Sequence, residues 1–500
     1  MNAIFIQKDG REALWRIRAE DKQKLLRLLF HRYPEREWGT FFRFGFRRTK
    51  WGILLTYVDS IVPKPGDLDR RSSIVEFRPG YIQRALTGLD EHPLAIGVIH
   101  SHPEGCGVGP SVTDDDMDSY FSEEFERFGG VRPYASIIVA KNETGELCFS
   151  GRVFDKGEWF DLRTTFTIGT ALLREDSVRS RRNVSTGEGT ATEGMLERVS
   201  QLLGPKAPQK LKRAVIGVVG ASGTGTPALN ILARANIGNL VVVDPGRIKD
   251  SNHQRNLAMH CADLDIVPKP YKAALARRMV QEINPGIQVH FFIGDVLDDM
   301  VLDELARCDV ILGCSDTNYA RAALGDIASQ YLVPVIDLAV QMRAEEGALR
   351  EQLSEIAYYA PGSPCPWCCN RVTASAIRYE TCTEADREFM ANAAVEAEQR
   401  GVDGAQYWGG TPPPELTVGY LTTMLGAMGA GYAQNLILGA GTIPHQRFQF
   451  DVGLPSFAVA EDVRGPNKEC ACQRVIGWAD QAKADRSVSK PSHWPDAFKI

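Results

Sequence analysis

The chain has no segment that is both long and uniformly apolar, and it has no surplus of positive charge. Its longest stretch of small apolar residues, Leu421 to Gly441, also carries threonine, glutamine, asparagine and many glycines. We interpret it as a buried helix, because a membrane span needs about 20 predominantly apolar residues. The net charge of −6 gives no electrostatic basis for binding nucleic acid or a membrane surface. The sequence therefore predicts a protein that binds neither.

The N-terminus shows no apolar run followed by a cleavage site, so we expect no signal peptide and a cytoplasmic location. Eleven cysteines occur among 500 residues. In a reducing compartment, clustered cysteines indicate metal binding or catalysis rather than disulfides. The length predicts two to four domains.

A polar segment without periodicity, 171–193, predicts a linker. Before it, 1–170 is predicted to be a mixed α/β domain, with a helix near 21–32 and strands near 40–47, 51–62, 94–100 and 135–140. After it, strands alternate with helices over 194–480, which is typical of a doubly wound, mainly parallel, Rossmann-like sheet. The last stretch, 481–500, contains two prolines and predicts an extended or mobile tail.

Two histidines, a serine and an aspartate lie within fifteen residues of one another. An apolar run over 94–99 predicts a buried strand ending at His100, so that His100 and His102 point to the same face. Thr113 is predicted to cap the next helix, which places Asp114 in its first turn. Two imidazoles and a carboxylate make a three-ligand zinc set with the fourth position open for water. The alternatives are an ordinary histidine pair and acids that only complement the helix dipole.

The stretch His100-Ser-His-Pro103, followed by Ser111 and Asp114 in an S-x-x-D pattern, resembles the JAMM motif of the JAB/MPN metallopeptidase family. The intervening loop is one residue longer than the common form, in a glycine- and proline-rich stretch that absorbs insertions easily. The resemblance implies a catalytic zinc held by His100, His102 and Asp114. It also implies hydrolysis of a peptide or isopeptide bond after a C-terminal glycine, with Ser111 hydrogen-bonding the developing oxyanion.

The same family uses a glutamate on an earlier strand as general base for the attacking water. Glu37, in a Glu-Trp-Gly sequence followed by apolar residues, resembles that position best. Glu76, before Phe77, is the alternative. Either residue would otherwise be an exposed carboxylate on a strand.

A second constellation begins with an apolar strand at 214–219 and a glycine-rich turn containing Gly220, Gly223 and Gly225. A helical stretch and another apolar strand follow, and that strand ends at Asp244. The glycines let the backbone approach a phosphate, and the acid can bind ribose hydroxyls. Ser222 replaces the second glycine of the G-x-G-x-x-G pattern. By itself the motif equally suits a dinucleotide dehydrogenase.

Polar and charged residues farther along favour a different chemistry. They are Asn252, Arg255, Lys272 and Asp316. Attack on the α-phosphate of ATP needs positive charge to stabilise the phosphates and a carboxylate to hold Mg²⁺. A hydride-transfer enzyme needs neither, although each residue alone would fit a surface ion pair.

The stretch from about Met195 to Trp478 resembles the ubiquitin-activating enzyme family, including its bacterial ThiF/MoeB-type members. The helix-to-strand turn over 232–240 is particularly similar. The resemblance implies ATP with Mg²⁺ as cofactors and assigns the contacts as follows: Gly220, Gly223 and Gly225 around the phosphates, Asp244 at the ribose, Asn252, Arg255 and Lys272 at the triphosphate, and Asp316 at Mg²⁺. Lys269 is an alternative to Lys272.

Cys365 and Cys368 form a C-x-x-C pair, and Cys470 and Cys472 form a C-x-C pair. Four thiolates suit tetrahedral zinc, and the family carries such a structural zinc. Buried free thiols are the alternative, and Cys369 is a competing ligand.

Cys382 lies in the segment where the family often places a cysteine that accepts the activated carboxyl group as a thioester. The alternative is that the adenylate passes on without a thioester at this site.

The two resemblances together imply a bifunctional enzyme that trims the tail of a small ubiquitin-like protein and adenylates the exposed glycine for conjugation. A conjugating enzyme and a homodimer formed through the adenylation domain are implied, and a bacterial antiphage system is one setting. One alternative substrate is a sulfur-carrier protein, trimmed, adenylated and converted to a thiocarboxylate. The other alternative is a catalytically inactive scaffold that binds a ubiquitin-like partner.

Overall fold

The computed structural model describes residues 11–30, 37–71, 74–177, 194–401, 417–441, 446–453, 459–462 and 465–500. The chain forms two compact units. The first comprises Met1–Glu188, Gln330–Leu332 and Val475–Asp485, and the second comprises Gly189–Ser329, Val333–Arg474 and Arg486–Ile500.

The first unit is built from strands β1 (Glu12–Arg18), β2 (Trp38–Thr49), β3 (Gly52–Ile61), β4 (Leu68–Arg71), β5 (Ile74–Phe77), β6 (Ala95–Ser101), β7 (Tyr134–Lys141), β8 (Leu147–Asp155), β9 (Glu158–Ile168) and β10 (Leu172–Asp176), with helices α1 (Ala19–Leu29), α2 (Pro79–Glu91) and α3 (Val112–Gly129). One sheet has the order β1-β3-β2-β6-β7-β8-β9-β10, and β4 pairs with β5. Because β1 also pairs with β9, the sheet closes on itself.

Aromatic residues on β2 fill both faces of this sheet. Phe42 and Phe44 pack into one core cluster with Trp15, whereas Phe41 packs into a second cluster with Phe121 of α3. Successive side chains on a strand point to opposite faces, so a run of aromatic residues is buried on both sides. The antiparallel pairing of β2 with β6 is thereby fixed in register, and the start of β2 lies beside the end of β6.

The second unit contains strands β11 (Val215–Val219), β12 (Asn239–Val243), β13 (Gln288–Ile293), β14 (Val310–Gly313), β15 (Val335–Glu345), β16 (Ala348–Tyr359), β17 (Arg447–Asp451), β18 (Val459–Asp462) and β19 (Phe498–Lys499). Its helices are α4 (Glu197–Leu203), α5 (Ala207–Arg213), α6 (Gly225–Arg234), α7 (Lys272–Ile283), α8 (Asp299–Leu305), α9 (Asn318–Gln330), α10 (Ala374–Thr381), α11 (Glu384–Gln399), α12 (Gly419–Leu438) and α13 (Ala471–Arg474). Short 3₁₀ helices lie at Gly194–Leu196, Asp250–Asn252, Cys261–Asp265 and Asp480–Asp485, the last of these in the first unit.

The sheet of the second unit has the order β18-β17-β16-β15-β14-β11-β12-β13-β19. Its centre, from β15 to β13, is parallel, as expected for a Rossmann-like fold. Both edges are antiparallel, which differs from the predicted mainly parallel sheet. The β15–β16 hairpin, β17 and β18 form one antiparallel side, with β18 at its edge, and the C-terminal strand β19 supplies the other edge.

The C-terminal boundaries also differ from the sequence-based division. Residues 475–485 pack in the first unit, where the Thr56 hydroxyl donates to Gly477 O over 2.7 Å. Residues 486–500 belong to the second unit, and β19 pairs with β13 instead of forming a mobile tail. The unpaired backbone groups of an edge strand explain this addition, because they favour a further strand.

The predicted linker overlaps β10, which pairs with β9, and the rest of it, 178–193, lies outside the described residues. The apolar stretch after Leu421 forms α12, where Leu421 and Leu425 are fully buried. Within the described parts of the chain, no helix has the length and apolarity needed to cross a membrane.

Candidate functional sites

The first site lies where β6 ends and α3 begins. The Nε2 atoms of His100 and His102 are 3.2 Å apart, and those atoms lie 3.0 and 3.5 Å from the Asp114 carboxylate. All three residues are at most 7% exposed. Donors about 2.1 Å from a tetrahedral zinc ion are roughly 3.4 Å from one another. The three residues therefore fit a metal ion.

Ser111, not Thr113, is the residue that caps α3. Its hydroxyl accepts the Asp114 N–H over 3.2 Å, and the Asp114 carboxylate accepts the Ser111 N–H over 2.6 Å. Ser111 and Thr113 are two residues apart, and each is followed by an aspartate three residues later, so both fit the sequence pattern of a helix cap. The reciprocal bonds hold Asp114 where the histidines approach it.

Glu37 lies in the same pocket as His100, Ser111 and Asp114. Its position follows from the β2–β6 register, in which Gly39 is opposite His100. A Cβ at position 39 would lie 2.9 Å from the Phe77 ring and 3.2 Å from the His100 Cβ, so only glycine lets these groups approach. Glu76, the alternative, is exposed and does not line this pocket.

Burial and the neighbouring charges shift the ionisation of this site. Burial raises the pKa of Glu37, against the opposing effect of the nearby histidines. Burial also favours the neutral form of Asp114, but hydrogen bonds from His100 and His102 outweigh it and lower the pKa of that carboxyl. The Gly107 carbonyl contacts Nδ1 of His102 at 2.9 Å, which leaves Nε2 facing His100 and Asp114. The buried Nδ1 of His100 has no hydrogen-bond partner among the described residues.

An ion-pair network around the buried Arg152 supports α3 behind this site. Arg152 contacts Asp115 at 2.7 Å and Asp118 at 2.6 Å, and the Tyr134 hydroxyl donates to Asp118 over 2.8 Å. Burial raises the pKa of Asp118, and the charge of Arg152 opposes that shift. No local sequence pattern indicates the role of Arg152, because only the position of β8 in the sheet brings it to α3.

The second site is a cavity of about 520 Å³ in the second unit, at the carboxyl ends of the parallel strands. Its volume is within the range of about 300–1,000 Å³ that is typical of small-molecule sites. The predicted residues that line it are Gly220, Gly223, Asp244, Arg255, Lys272 and Asp316. This is the position at which open α/β sheets bind ligands.

The glycine-rich turn needs its glycines for steric reasons. Gly220 has φ +99°, and a Cβ there would lie 2.6 Å from the Cys314 carbonyl oxygen. A Cβ on Gly225 would lie 1.8 Å from the Gly220 oxygen, so Gly225 shapes the turn without lining the cavity. Ser222 lines the cavity in place of the expected second glycine.

The Asp244 carboxylate accepts backbone N–H groups from Ala221 and Gly246, each over 2.7 Å. Burial raises its pKa, and the positive charge of Lys272 opposes the shift. These contacts fix the acid at the end of β12, where it can meet ribose hydroxyls.

The structure distinguishes the two candidate lysines by their surroundings. Lys272 starts α7 and lines the cavity. Lys269 is paired with Asp250 at 2.9 Å and does not line it. Asn252 is buried, and its side-chain oxygen accepts the Lys249 N–H over 2.9 Å, so it organises the neighbouring turn outside the cavity.

Cys365, Cys368, Cys470 and Cys472 lie together. Sulfur–sulfur distances are 3.7 Å for Cys365–Cys368 and Cys365–Cys470 and 3.8 Å for Cys368–Cys472. Four thiolates about 2.3 Å from a tetrahedral zinc ion are roughly 3.8 Å apart. The cluster therefore fits a zinc ion, and Cys369 is not among its members.

Cys382 follows α10 directly, and its thiol donates to the Tyr379 carbonyl over 3.2 Å. Tyr379, Glu380 and Arg387 around it line the nucleotide cavity, whereas Cys382 does not. Two cavity residues outside the predicted set, Arg387 and Trp494, come from segments that carry no recognisable motif.

The fold and the cavity define a nucleotide-binding protein with a Rossmann-like second unit. The ThiF family model matches residues 196–473, and the chain belongs to the ThiF family. The SAMP-activating enzyme E1 of Haloferax volcanii is 31% identical over 166 residues, which cover 33% of this chain and 57% of that protein. The sulfur carrier protein adenylyltransferase of Thermus thermophilus is 32% identical over 126 residues, which cover 25% and 45%. The chain thus spans less than two thirds of the length of these relatives.

Among solved structures, E. coli MccB with MccA-N7isoASN is similar at a TM-score of 0.43 and 15% identity, over 56% of this chain and 74% of that chain. The family match does not extend to residues 1–188, which make up most of the first unit.

Proposed function

We propose that the second unit adenylates the C-terminal glycine of a small ubiquitin-like protein. The observation that carries this proposal is the convergence of the glycine-rich turn, Asp244, Lys272, Arg255 and Asp316 on one cavity. The names of the relatives, an activating enzyme E1 and sulfur-carrier adenylyltransferases, support the substrate class.

In the proposed reaction, an oxygen of the glycine carboxylate attacks the α-phosphorus of ATP. A new P–O bond forms, the bond to the β-phosphate bridging oxygen breaks, and pyrophosphate leaves. Lys272 and Arg255 stabilise the negative charge on the phosphates, and Asp244 orients the nucleotide through its ribose. Magnesium bound at Asp316 would neutralise further phosphate charge.

ATP–pyrophosphate exchange in the presence of a small ubiquitin-like protein tests this reaction. We expect exchange by the wild-type chain and a loss of at least about 100-fold in Asp316→Ala. Asp265→Ala is the matched control, since Asp265 is exposed and lies outside the cavity. Unchanged exchange by Asp316→Ala would contradict the proposal.

We infer that the first unit is a zinc-dependent peptidase that cleaves after a C-terminal glycine. The support is the buried His100, His102 and Asp114 set with Glu37 in the same pocket. Zinc held there would polarise the scissile carbonyl and lower the pKa of water. Glu37 would accept the proton of the attacking water and return it to the leaving amine. Ser111 lines the pocket, and rotation of its hydroxyl away from Asp114 would stabilise the developing oxyanion.

Cleavage of a ubiquitin-like protein with a C-terminal extension tests the peptidase. Glu37→Gln should retain zinc and lose cleavage, whereas His102→Ala should lose both. Glu76→Gln, at the exposed alternative, should behave as wild type. Full cleavage by His102→Ala would remove zinc from the mechanism.

The second candidate function is the processing of a sulfur-carrier protein, which the name of the Thermus thermophilus relative favours. The product separates the routes: a conjugate with an amine-bearing target or a thiocarboxylate. If the protein acts in conjugation, Cys382→Ser should retain ATP–pyrophosphate exchange and fail to form a thioester. A conjugating enzyme would then accept the carboxyl group from Cys382.

A catalytically inactive scaffold would show neither exchange nor cleavage. Light scattering tests the proposed homodimer.

A further inference from the structure

The segment 486–500 follows the family-matched span, 196–473, yet it is part of the second unit. Its strand β19 adds to the edge of the central sheet beside β13. At the end of β13 the backbone passes close to the C-terminal segment: a Cβ on Gly294 would lie only 2.3 Å from the Cβ of Ala497. The position of this segment is therefore fixed relative to the cavity.

Side-chain contacts anchor the segment on both sides of its middle. The Asp326 carboxylate accepts the N–H and the hydroxyl of Ser487 over 2.7 and 2.9 Å. The Asp298 carboxylate contacts Lys490 at 2.5 Å and accepts the Ala497 N–H over 3.1 Å. The residues between these anchors are held against the second unit.

Trp494 lies between the anchors and lines the nucleotide cavity. It is only partly buried. Its ring meets the Tyr319 ring nearly edge-on, with centroids 5.0 Å apart. The Tyr319 hydroxyl donates to Asp295 over 2.9 Å, which fixes the tyrosine next to the residues that follow β13.

The order of the lining residues shows which part of ATP would reach Trp494. The glycine-rich turn after β11, with Gly223, is suited to the phosphates, and Asp244 after the adjacent β12 is suited to the ribose. The next strand, β13, is followed by Gly294, Asp295 and Val296, which also line the cavity. A nucleotide that crosses these strand ends in order places its base on the β13 side, where Trp494 lies.

We propose that Trp494 stacks on the adenine base of ATP, so that the C-terminal segment completes the nucleotide site. This inference rests on the proposed adenylation by the same cavity. An indole ring offers a large flat face to a purine, and such stacking contributes substantially to binding.

Direct titration of the full chain with Mg–ATP and with magnesium tripolyphosphate tests the proposal. Trp494→Ala should weaken ATP binding by about 5- to 150-fold and change tripolyphosphate binding by less than about twofold, because tripolyphosphate has no base. Trp494→Phe should retain most of the ATP affinity and lose the tryptophan fluorescence change that ATP causes. Ser492→Ala, at an exposed position of the same segment outside the cavity, is the matched control.

Two results would overturn the stacking role: unchanged ATP affinity in Trp494→Ala, or equal losses for ATP and tripolyphosphate in both Trp494 variants. The second result would show that the residue only maintains the cavity. Wild-type protein that binds no ATP would contradict the adenylation proposal itself. If the wild-type protein catalyses ATP–pyrophosphate exchange and Trp494→Ala binds ATP as tightly as wild type, only the stacking proposal is contradicted.

Discussion

The Ser111 hydroxyl donates a hydrogen bond to the Asp114 carboxylate over 2.7 Å, and the Asp114 N–H donates back to the same hydroxyl oxygen over 3.2 Å. The carboxylate oxygen that Ser111 contacts also lies 3.5 Å from Nε2 of His102. A helix cap thus orients the carboxylate that we propose as a metal ligand, and the cap and the proposed metal site depend on the same pair of residues.

Replacement of Ser111 by alanine should affect both properties. We expect Ser111→Ala to lower the free energy of unfolding of the first unit by about 1 kcal/mol, because the N-terminal turn of α3 loses its cap. Zinc affinity should fall by about 10-fold or more, because Asp114, the proposed zinc ligand, loses the hydrogen bond from the Ser111 hydroxyl that orients it. Urea unfolding and competition with a chelator measure these two effects.

Thr113→Ala is the control that separates the observed cap from the predicted one. Its free energy of unfolding should remain within about 0.5 kcal/mol of wild type, as at other surface positions. A larger loss in Thr113→Ala than in Ser111→Ala would contradict the observed capping.

The Arg152–Asp118 pair predicts a pH-dependent effect on stability. Arg152→Met leaves the Asp118 charge buried without its partner, which should cost about 3–5 kcal/mol of unfolding free energy at pH 8. Burial already raises the pKa of Asp118 in the folded state, and loss of Arg152 raises it further. A folded-state pKa above the unfolded value destabilises the ionised form, so the loss should be smaller at pH 5 than at pH 8, because a larger fraction of Asp118 is protonated at the lower pH.

Chemical denaturation at both pH values measures this difference. Arg11→Met is the matched control, because Arg11 and its partner Glu158 are each about 40% exposed and such pairs contribute roughly 0–1 kcal/mol. Equal losses in Arg152→Met at pH 5 and pH 8 would show that packing, rather than the Asp118 charge, accounts for the effect.

The cysteine cluster predicts one structural zinc ion in the second unit. Cys472→Ser should remove one equivalent of zinc per chain and destabilise the second unit, because structural zinc contributes directly to folding. Elemental analysis and thermal unfolding provide the readouts. Cys369→Ser should keep the metal, since Cys369 is adjacent to the cluster but outside it. Metal retained in Cys472→Ser and lost in Cys369→Ser would reassign the fourth ligand.

The two lysines near the triphosphate position give a paired test. Lys272→Ala should reduce ATP–pyrophosphate exchange by about 100-fold or more, because a positive charge next to the phosphates is lost. Lys269→Ala should change exchange by less than about threefold, since its ammonium group pairs with Asp250 outside the cavity. The reverse ranking would place Lys269 at the phosphates.

Much of both candidate sites follows from short-range patterns. Residues two apart on a strand share a face, so the spacing of His100 and His102 predicts their proximity. The glycine-rich turn and Asp244 follow from a strand-turn-helix-strand order, in which adjacent parallel strands end at the same edge. Local patterns also leave ambiguities: Ser111 and Thr113 each precede an aspartate by three residues, and only the backbone geometry shows which one caps α3.

The sequence by itself determined the Rossmann-like centre of the second unit, the candidate metal ligands and the glycine-rich turn, because these depend on periodicity and spacing within a few residues. The sequence pattern favoured Glu37 over Glu76, and the tertiary structure decided between them, since the β2–β6 register places Glu37 in the pocket of His100. The tertiary structure also decided that Trp494 reaches the cavity and Arg152 reaches α3. Contacts between distant segments depend on strand order and edge pairing, and no local pattern encodes them.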